Sequence, residues 1–268
     1  MNRVYIDSVG LVAPGLLGWQ EGKDVLNSQR AYNPEPLARY KPLLLPANER
    51  RRATELVRLA FRVCEDAVDA LEGRDITQLA SLFCSAGGDY QVIDQICRVL
   101  TEAEPMVSPT QFHNSVHNSA AGYWAIATGA RTASSSIAAN KFSFTASLLE
   151  AYSFVLVEQQ DLLLSCYESM PPEPLAQECG VKSPFASAYV LSANQTEQSL
   201  ASIELSIVDE NIAGSNSGCK NTDLVALMKT SPAAQALPLL ELLAAGEEGE
   251  LVLPLNDEQK LLVRVCSC

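Results

Sequence analysis

Residues 108–147 read SPTQFHNSVHNSAAGYWAIATGARTASSSIAANKFSFTAS, and the order of patterns in this stretch decides the fold class. A polar loop over 102–112 leads to a helix near 119–128. A strand of small residues follows at 133–139, and a further helix over about 142–158 starts at once, with Asn140 and Lys141 at the junction. Strand running directly into helix is the turn of a βα unit, and units at this spacing imply parallel strands in a layered α/β domain.

The flanking sequence extends the alternation. Residues 4–12 are an apolar, β-branched run closed by Ala13-Pro14-Gly15, as expected of a strand and turn. A short helix fits 20–26, and a longer one fits 49–71, where Leu56, Ala60, Val63, Ala67 and Leu71 recur every three or four residues before Gly73. Residues 79–84 predict a buried strand, and Ser85-Ala86-Gly87-Gly88 turns into a helix with Val92, Ile93, Ile96, Val99 and Leu100 on one side. After the strand at 161–165 the pattern changes. Pro171, Pro172 and Pro174 mark a loop, 186–192 and 201–208 read as adjacent strands, and 210–221 is a polar gap. Helical sequence over 223–245 and two short strands at 250–253 and 261–265 complete the chain. No boundary divides it, so a single domain over 1–268 is expected.

Composition narrows the function classes. The 268 residues are 47% hydrophobic, enough for a sizeable core. Apolar stretches such as 146–157 carry Glu150, end at Glu158 and fall short of the about 18 residues a membrane span needs. The first ten residues include Asp7 and lack a small-residue cleavage site, so they predict a first strand rather than a leader, and a cytoplasmic protein. A net charge of −13 disfavours nucleic acid and anionic membranes as partners. The charge is uneven: between Arg30 and Arg62 eight basic residues face three acids, a local +5 that leaves −18 for the remainder. That segment is either a solvated helix face or a surface for an acidic partner. Eight cysteines form no C-x-x-C pair, and Cys64, Cys84 and Cys97 lie in apolar patterns, which predicts buried reduced thiols. Cys266 and Cys268 have no histidine nearby, so no metal is expected. Neither G-x-G-x-x-G nor G-x-x-x-x-G-K-S/T occurs, and no nucleotide or other cofactor is expected.

The quoted stretch resembles the condensing enzymes, the β-ketoacyl synthases of fatty acid and polyketide pathways. In that family Ser-Pro, an extended polar loop, Asn and Ala-Gly open a helix; Ser108-Pro109, Asn118 and Ala121-Gly122 are the counterparts. A Gly-x-Arg turn and a Ser-x-Ser-Ile-Ala strand follow, matched without a gap by Gly129, Arg131, Ser134, Ser136, Ile137 and Ala138. VYIDSVGLVAPG and LASLFCSAGG stand where the family has its first and second strands, and ASAYVLS resembles the strand that closes its first half. The resemblance covers about 1–208. It implies a thiolase-like layered α/β fold whose second βαβ repeat, over 209–268, is strongly reduced.

The same match implies missing chemistry. The family's nucleophilic cysteine sits at the strand-to-helix turn, where the helix N-terminus stabilises a thiolate. Lys141 occupies that position. An ammonium there opposes the helix dipole and cannot carry an acyl thioester. The two downstream histidines of complete members have no counterpart, because the only histidines, His113 and His117, lie upstream. Ser115 between them suggests a serine nucleophile, but the G-x-S-x-G elbow is absent.

Three functions follow as expectations. The first is a non-catalytic subunit, similar to the chain length factors of type II polyketide systems and most like the compact proteins of aryl polyene clusters. It would pair with an active β-ketoacyl synthase, with acyl carrier protein engaged through that partner or directly. The resemblance then assigns Phe112, Ser115, Val116 and Ser119 to the partner's acyl tunnel and Ser134, Ser135, Ser136, Ile137 and Ala138 to the dimer interface. Phe112 is equally readable as a residue of its own core. The second is a ketosynthase-like decarboxylase or acyltransferase using Lys141, Asn140 or a remaining cysteine. The third is a free-standing acyl-binding or regulatory module.

Overall fold

The computed structural model describes residues 2–209 and 214–268. Eight strands form one sheet: β1 (Val4–Val12), β2 (Ala80–Cys84), β3 (Ser134–Ile137), β4 (Leu162–Glu168), β5 (Phe185–Ser192), β6 (Ala201–Asp209), β7 (Gly249–Pro254) and β8 (Gln259–Ser267). Their order is β3-β2-β4-β5-β1-β6-β8-β7. The parallel units expected from the sequence are confined to β3, β2 and β4. From β4 onward every pairing is antiparallel. β1 lies between β5 and β6, which are therefore not neighbours as their sequence spacing suggested. The N-terminal strand supplies hydrogen bonds to both, and no local pattern encodes that insertion.

β2 and β4 are buried along their whole length because both sheet faces are covered there, whereas β3, Ser-Ser-Ser-Ile, is partly exposed. Side chains alternate between faces with period two. Leu82, Cys84, Leu162, Leu164 and Cys166 meet Phe144, Leu148 and Val155 of the helix α7 (Ser143–Glu158). Phe83, Leu163 and Tyr167 meet Phe61 of α3 (Glu55–Asp69) and Trp124 of α6 (Ser119–Thr128) on the opposite face. Helices on both sides of one sheet give the layered α/β fold. α3 lies so close to β1 that a Cβ on Gly10 would stand 2.1 Å from the Val63 carbonyl oxygen.

The short helix expected over 20–26 is α1 (Trp19–Leu26), and the one expected over 49–71 is two helices, α2 (Ala47–Arg52) and α3. Ala53 is extended and buried, and the Thr54 hydroxyl accepts from the Val57 N–H, so a cap interrupts what side-chain spacing alone joins. The loop expected to reach Phe112 contains α5 (Pro109–Asn114), started by a Ser108/Gln111 capping box and Pro109. α4 (Tyr90–Leu100) buries only Val92, leaving Ile93, Leu100 and Cys97 exposed; Cys97 thus departs from the expected buried thiol. Helical sequence over 223–245 breaks into short turns and α8 (Leu237–Ala245), because Pro232 and Pro238 each begin a new helical segment. The polar gap from 210 lies partly outside the described residues. Among the described residues no helix is long and apolar enough to cross a membrane.

Candidate functional site

β3 runs into α7 through an elbow. Ala139 leaves the strand, Asn140 takes a left-handed φ of 51°, and residues 140–142 form one turn of 3-10 helix. Asparagine tolerates this region better than bulkier side chains. The Ser143 hydroxyl accepts from the Ala139 N–H at 3.0 Å and donates to the Asn140 carbonyl at 2.7 Å, which locks the turn. Lys141 points outward from the elbow. Its Nζ lies 2.9 Å from Oδ1 of Asp257, on the β7–β8 turn, and 4.7 Å from the Phe142 ring centroid, and both charged side chains are exposed. The elbow thus presents this ion pair to solvent.

The thiols behind the elbow are buried. Cys84 Sγ contacts the Ser143 carbonyl at 3.2 Å, and Cys166 Sγ contacts the Ser147 hydroxyl at 3.2 Å. Burial pushes the Cys166 thiol well above its ordinary pKa, with Cys84 adding to the effect. A protonated, enclosed thiol is inert as a nucleophile. One half-buried thiol, Cys179, does line the same open depression of about 320 Å³ as Asn140 and Lys141. Sequence reasoning held it only among the remaining cysteines, because the fold alone brings 179 into one depression with 141.

The loop ahead of α6 is braced from below. Asn114 donates through Nδ2 to the Arg52 carbonyl at 2.9 Å and accepts from the Tyr123 hydroxyl at 3.1 Å. Phe112, 68% exposed, and Val116 turn to solvent, whereas Ser115 and Ser119 are half-buried. The core alternative for Phe112 is thereby excluded. Ser115 Oγ donates to the Phe112 carbonyl at 2.8 Å, and neither histidine receives its proton. His113 lies edge-on to Tyr123, and His117 Nε2 lies 2.8 Å from the Ser85 carbonyl oxygen, so the suggested serine–histidine pair does not form.

His117 leads to a polar knot that the sequence reading missed. Glu168, fully buried at the end of β4, accepts from the Ala86 N–H and lies 3.4 Å from the Ser85 hydroxyl, which in turn accepts from the Gly88 N–H at 3.0 Å. Burial raises the Glu168 carboxyl to about 7, against a partial offset from these donors. The one available signal was an acid closing the apolar run of β4.

β3 forms an edge of the sheet, paired only with β2. Ser134, Ser135 and Ala138 are exposed and Ser136 and Ile137 half-buried. Ser81 donates to Ser134 Oγ at 2.8 Å, while Ser136 Oγ is enclosed without a partner among the described residues. Small side chains on an open edge permit another strand to approach closely.

No curated protein matches the sequence. Solved structures do resemble this fold. A chain of the ketosynthase ApeO in complex with its chain length factor ApeC, from Xenorhabdus doucetiae, is 22% identical with a TM-score of 0.72, covering 97% of this chain and 98% of that one. The ishigamide ketosynthase/chain length factor is 13% identical with a TM-score of 0.75, covering 98% and 99%. AntDE:AntF, a type II polyketide synthase acyl carrier protein in complex with its hexaketide-bound ketosynthase, is 12% identical with a TM-score of 0.75, covering 99% of both chains. These structural matches show the thiolase-like ketosynthase fold. The family model described as "Beta-ketoacyl synthase, N-terminal domain" matches residues 19–249, a span that contains the elbow, the braced loop and the open β3 edge, and the chain therefore belongs to the β-ketoacyl synthase family.

Proposed function

We propose that the chain is a non-catalytic subunit that pairs with an active β-ketoacyl synthase and acts as its chain length factor, in aryl polyene or related type II polyketide or fatty acid biosynthesis. The observation that carries the proposal is the elbow. A solvent-exposed Lys141–Asp257 ion pair stands at the elbow, where the resemblance puts the family's thiolate, with Cys84 and Cys166 enclosed behind it. Partnership draws support from two surfaces that favour burial: the unpaired β3 edge, and the exposed apolar side chains Ile93, Leu100, Phe112 and Val116 on and beside α4 and α5. In the pair, Phe112, Ser115, Val116 and Ser119 reach the partner's acyl tunnel, and 134–138 lie at the interface. Residues 1–208 and 209–268 act as one unit, with carrier protein presented to the pair rather than acylating this subunit. The test is incubation with malonyl-loaded carrier protein, alone and with an active β-ketoacyl synthase of a type II system. Product formed only in the mixture supports the proposal, and carrier-dependent condensation by the chain alone refutes it.

Cys179 favours a second reading, a ketosynthase-like acyl transfer, because its half-buried thiol shares the elbow depression with Lys141. An acyl adduct on the wild-type chain that Cys179→Ser abolishes would select that reading.

A further inference from the structure

Charge on this acidic chain is concentrated where it finds few counter-ions. Arg39, Lys41, Arg50, Arg51 and Arg58 line a bowl of about 540 Å³ beside α2. Among the described residues Lys41, Arg50 and Arg51 have no carboxylate within ion-pair distance, and Glu55 alone serves both Arg39, at 3.0 Å, and Arg58, at 3.8 Å. Arg58 is itself buried, 7% exposed. Its terminal nitrogens are used, one donating to the Tyr40 carbonyl at 3.2 Å and the other to the Arg50 carbonyl at 2.5 Å. Its Nε is shut away from water and, among the described residues, has no hydrogen-bond partner, with Glu55 Oε1 at 3.8 Å as its nearest counter-charge. Burial, then Arg39 and Arg50, lower the pKa of this guanidinium. Like charges crowded without counter-ions are costly, and an anion in the bowl offsets the charge of Lys41, Arg50 and Arg51 while the bonded Arg58 fixes the wall.

The bowl has a second compartment. Arg39, Tyr40 and Arg58 also line an adjoining groove of about 290 Å³, whose remaining wall includes Leu37, Leu59, Met170 and Pro184. Arg58 is thus shared by a cationic chamber and an apolar one. We infer that this composite site binds a soluble amphiphile with a phosphate ester head in the bowl and an apolar chain in the groove. The bidentate donors of arginine match phosphate oxygens, and the groove withdraws methylene groups from water. The site lies apart from the elbow and does not depend on the subunit role proposed above.

Titration calorimetry of the full chain with decyl phosphate, inorganic phosphate and decanol tests it. Decyl phosphate should bind about tenfold more tightly than either fragment and weaken as salt rises. The double variant Lys41→Gln/Arg51→Gln alters only side chains without ion-pair partners and should weaken decyl phosphate about tenfold at unchanged melting temperature. Met170→Glu should weaken decyl phosphate while leaving inorganic phosphate as in wild type. Equal binding by wild type and the double variant, or decanol binding as tightly as the ester, overturns the inference. So does binding to phosphatidate-containing vesicles or to polyglutamate with none to decyl phosphate, since either assigns the cations to an extended anionic surface.

Discussion

Phe112→Ala separates an external role from a structural one by magnitude. Phe112 is 68% exposed in the chain, so only about a third of the 1.5–3 kcal/mol available from burying such a ring is at stake, about 1 kcal/mol or less. A core phenylalanine truncated to alanine costs about 3–5 kcal/mol instead. For a protein of this size about 1 kcal/mol corresponds to a melting temperature lower by about 2–4 °C. The asparagine brace beneath the loop stays intact, because Asn114 bonds to Arg52 and Tyr123 rather than to the ring. In the reconstituted complex the ring acts as a stop, since steric overlap rises much faster than the about 0.8 kcal/mol gained per buried CH₂. The variant complex should therefore release products longer by at least one extension unit. Melting curves of the chain and product analysis of the same complex check both halves. A well-folded variant complex with unchanged products removes Phe112 from chain-length control, and a loss near 4 kcal/mol contradicts its exposed position.

Three further outcomes are expected. Lys141→Cys should not restore condensation to the isolated chain, as followed by carrier-dependent product, because the family's downstream histidines are missing as well. Ser135→Lys, at an exposed point of the β3 edge, should change stability by no more than about 0.5 kcal/mol yet weaken ketosynthase pairing about tenfold or more, read by native mass titration. Glu168 has a folded pKa raised from 4.5 to about 7, so its favourable contribution is full below about 4.5 and is lost as pH rises through 7. At about 1.36 kcal/mol per pH unit this loss is about 3 kcal/mol, and Glu168→Gln should remove it from stability measured across that window.

The sequence disclosed what local chemistry controls. Runs of apolar or small residues located every described strand and three-to-four-residue spacing most helices, and the ungapped segment ending at Ala138 located the turn into α7, where the resemblance puts Lys141 in place of the nucleophile. Non-local features escaped it. The antiparallel insertion of β1 between β5 and β6 joins residues nearly 200 apart, as in the pairing of Tyr5 with Ser192 and Ser202. The apolar stripe of α4 predicted burial, but a stripe only says that water is unfavourable there, not which molecule covers it. Cys179 and Glu168 acquire meaning only through neighbours distant in sequence, Lys141 for the first and Ser85 for the second. Phe112 could not be assigned by periodicity, and its exposure decides against the core.

Native mass spectrometry of the chain co-expressed with an active β-ketoacyl synthase from the same organism tests the central claim most directly. The account predicts a stable one-to-one heterodimer in which, after incubation with acyl-loaded carrier protein, the acyl mass appears on the ketosynthase and never on this chain. A stable monomer that ignores the ketosynthase, or an acyl adduct on this chain, would contradict it.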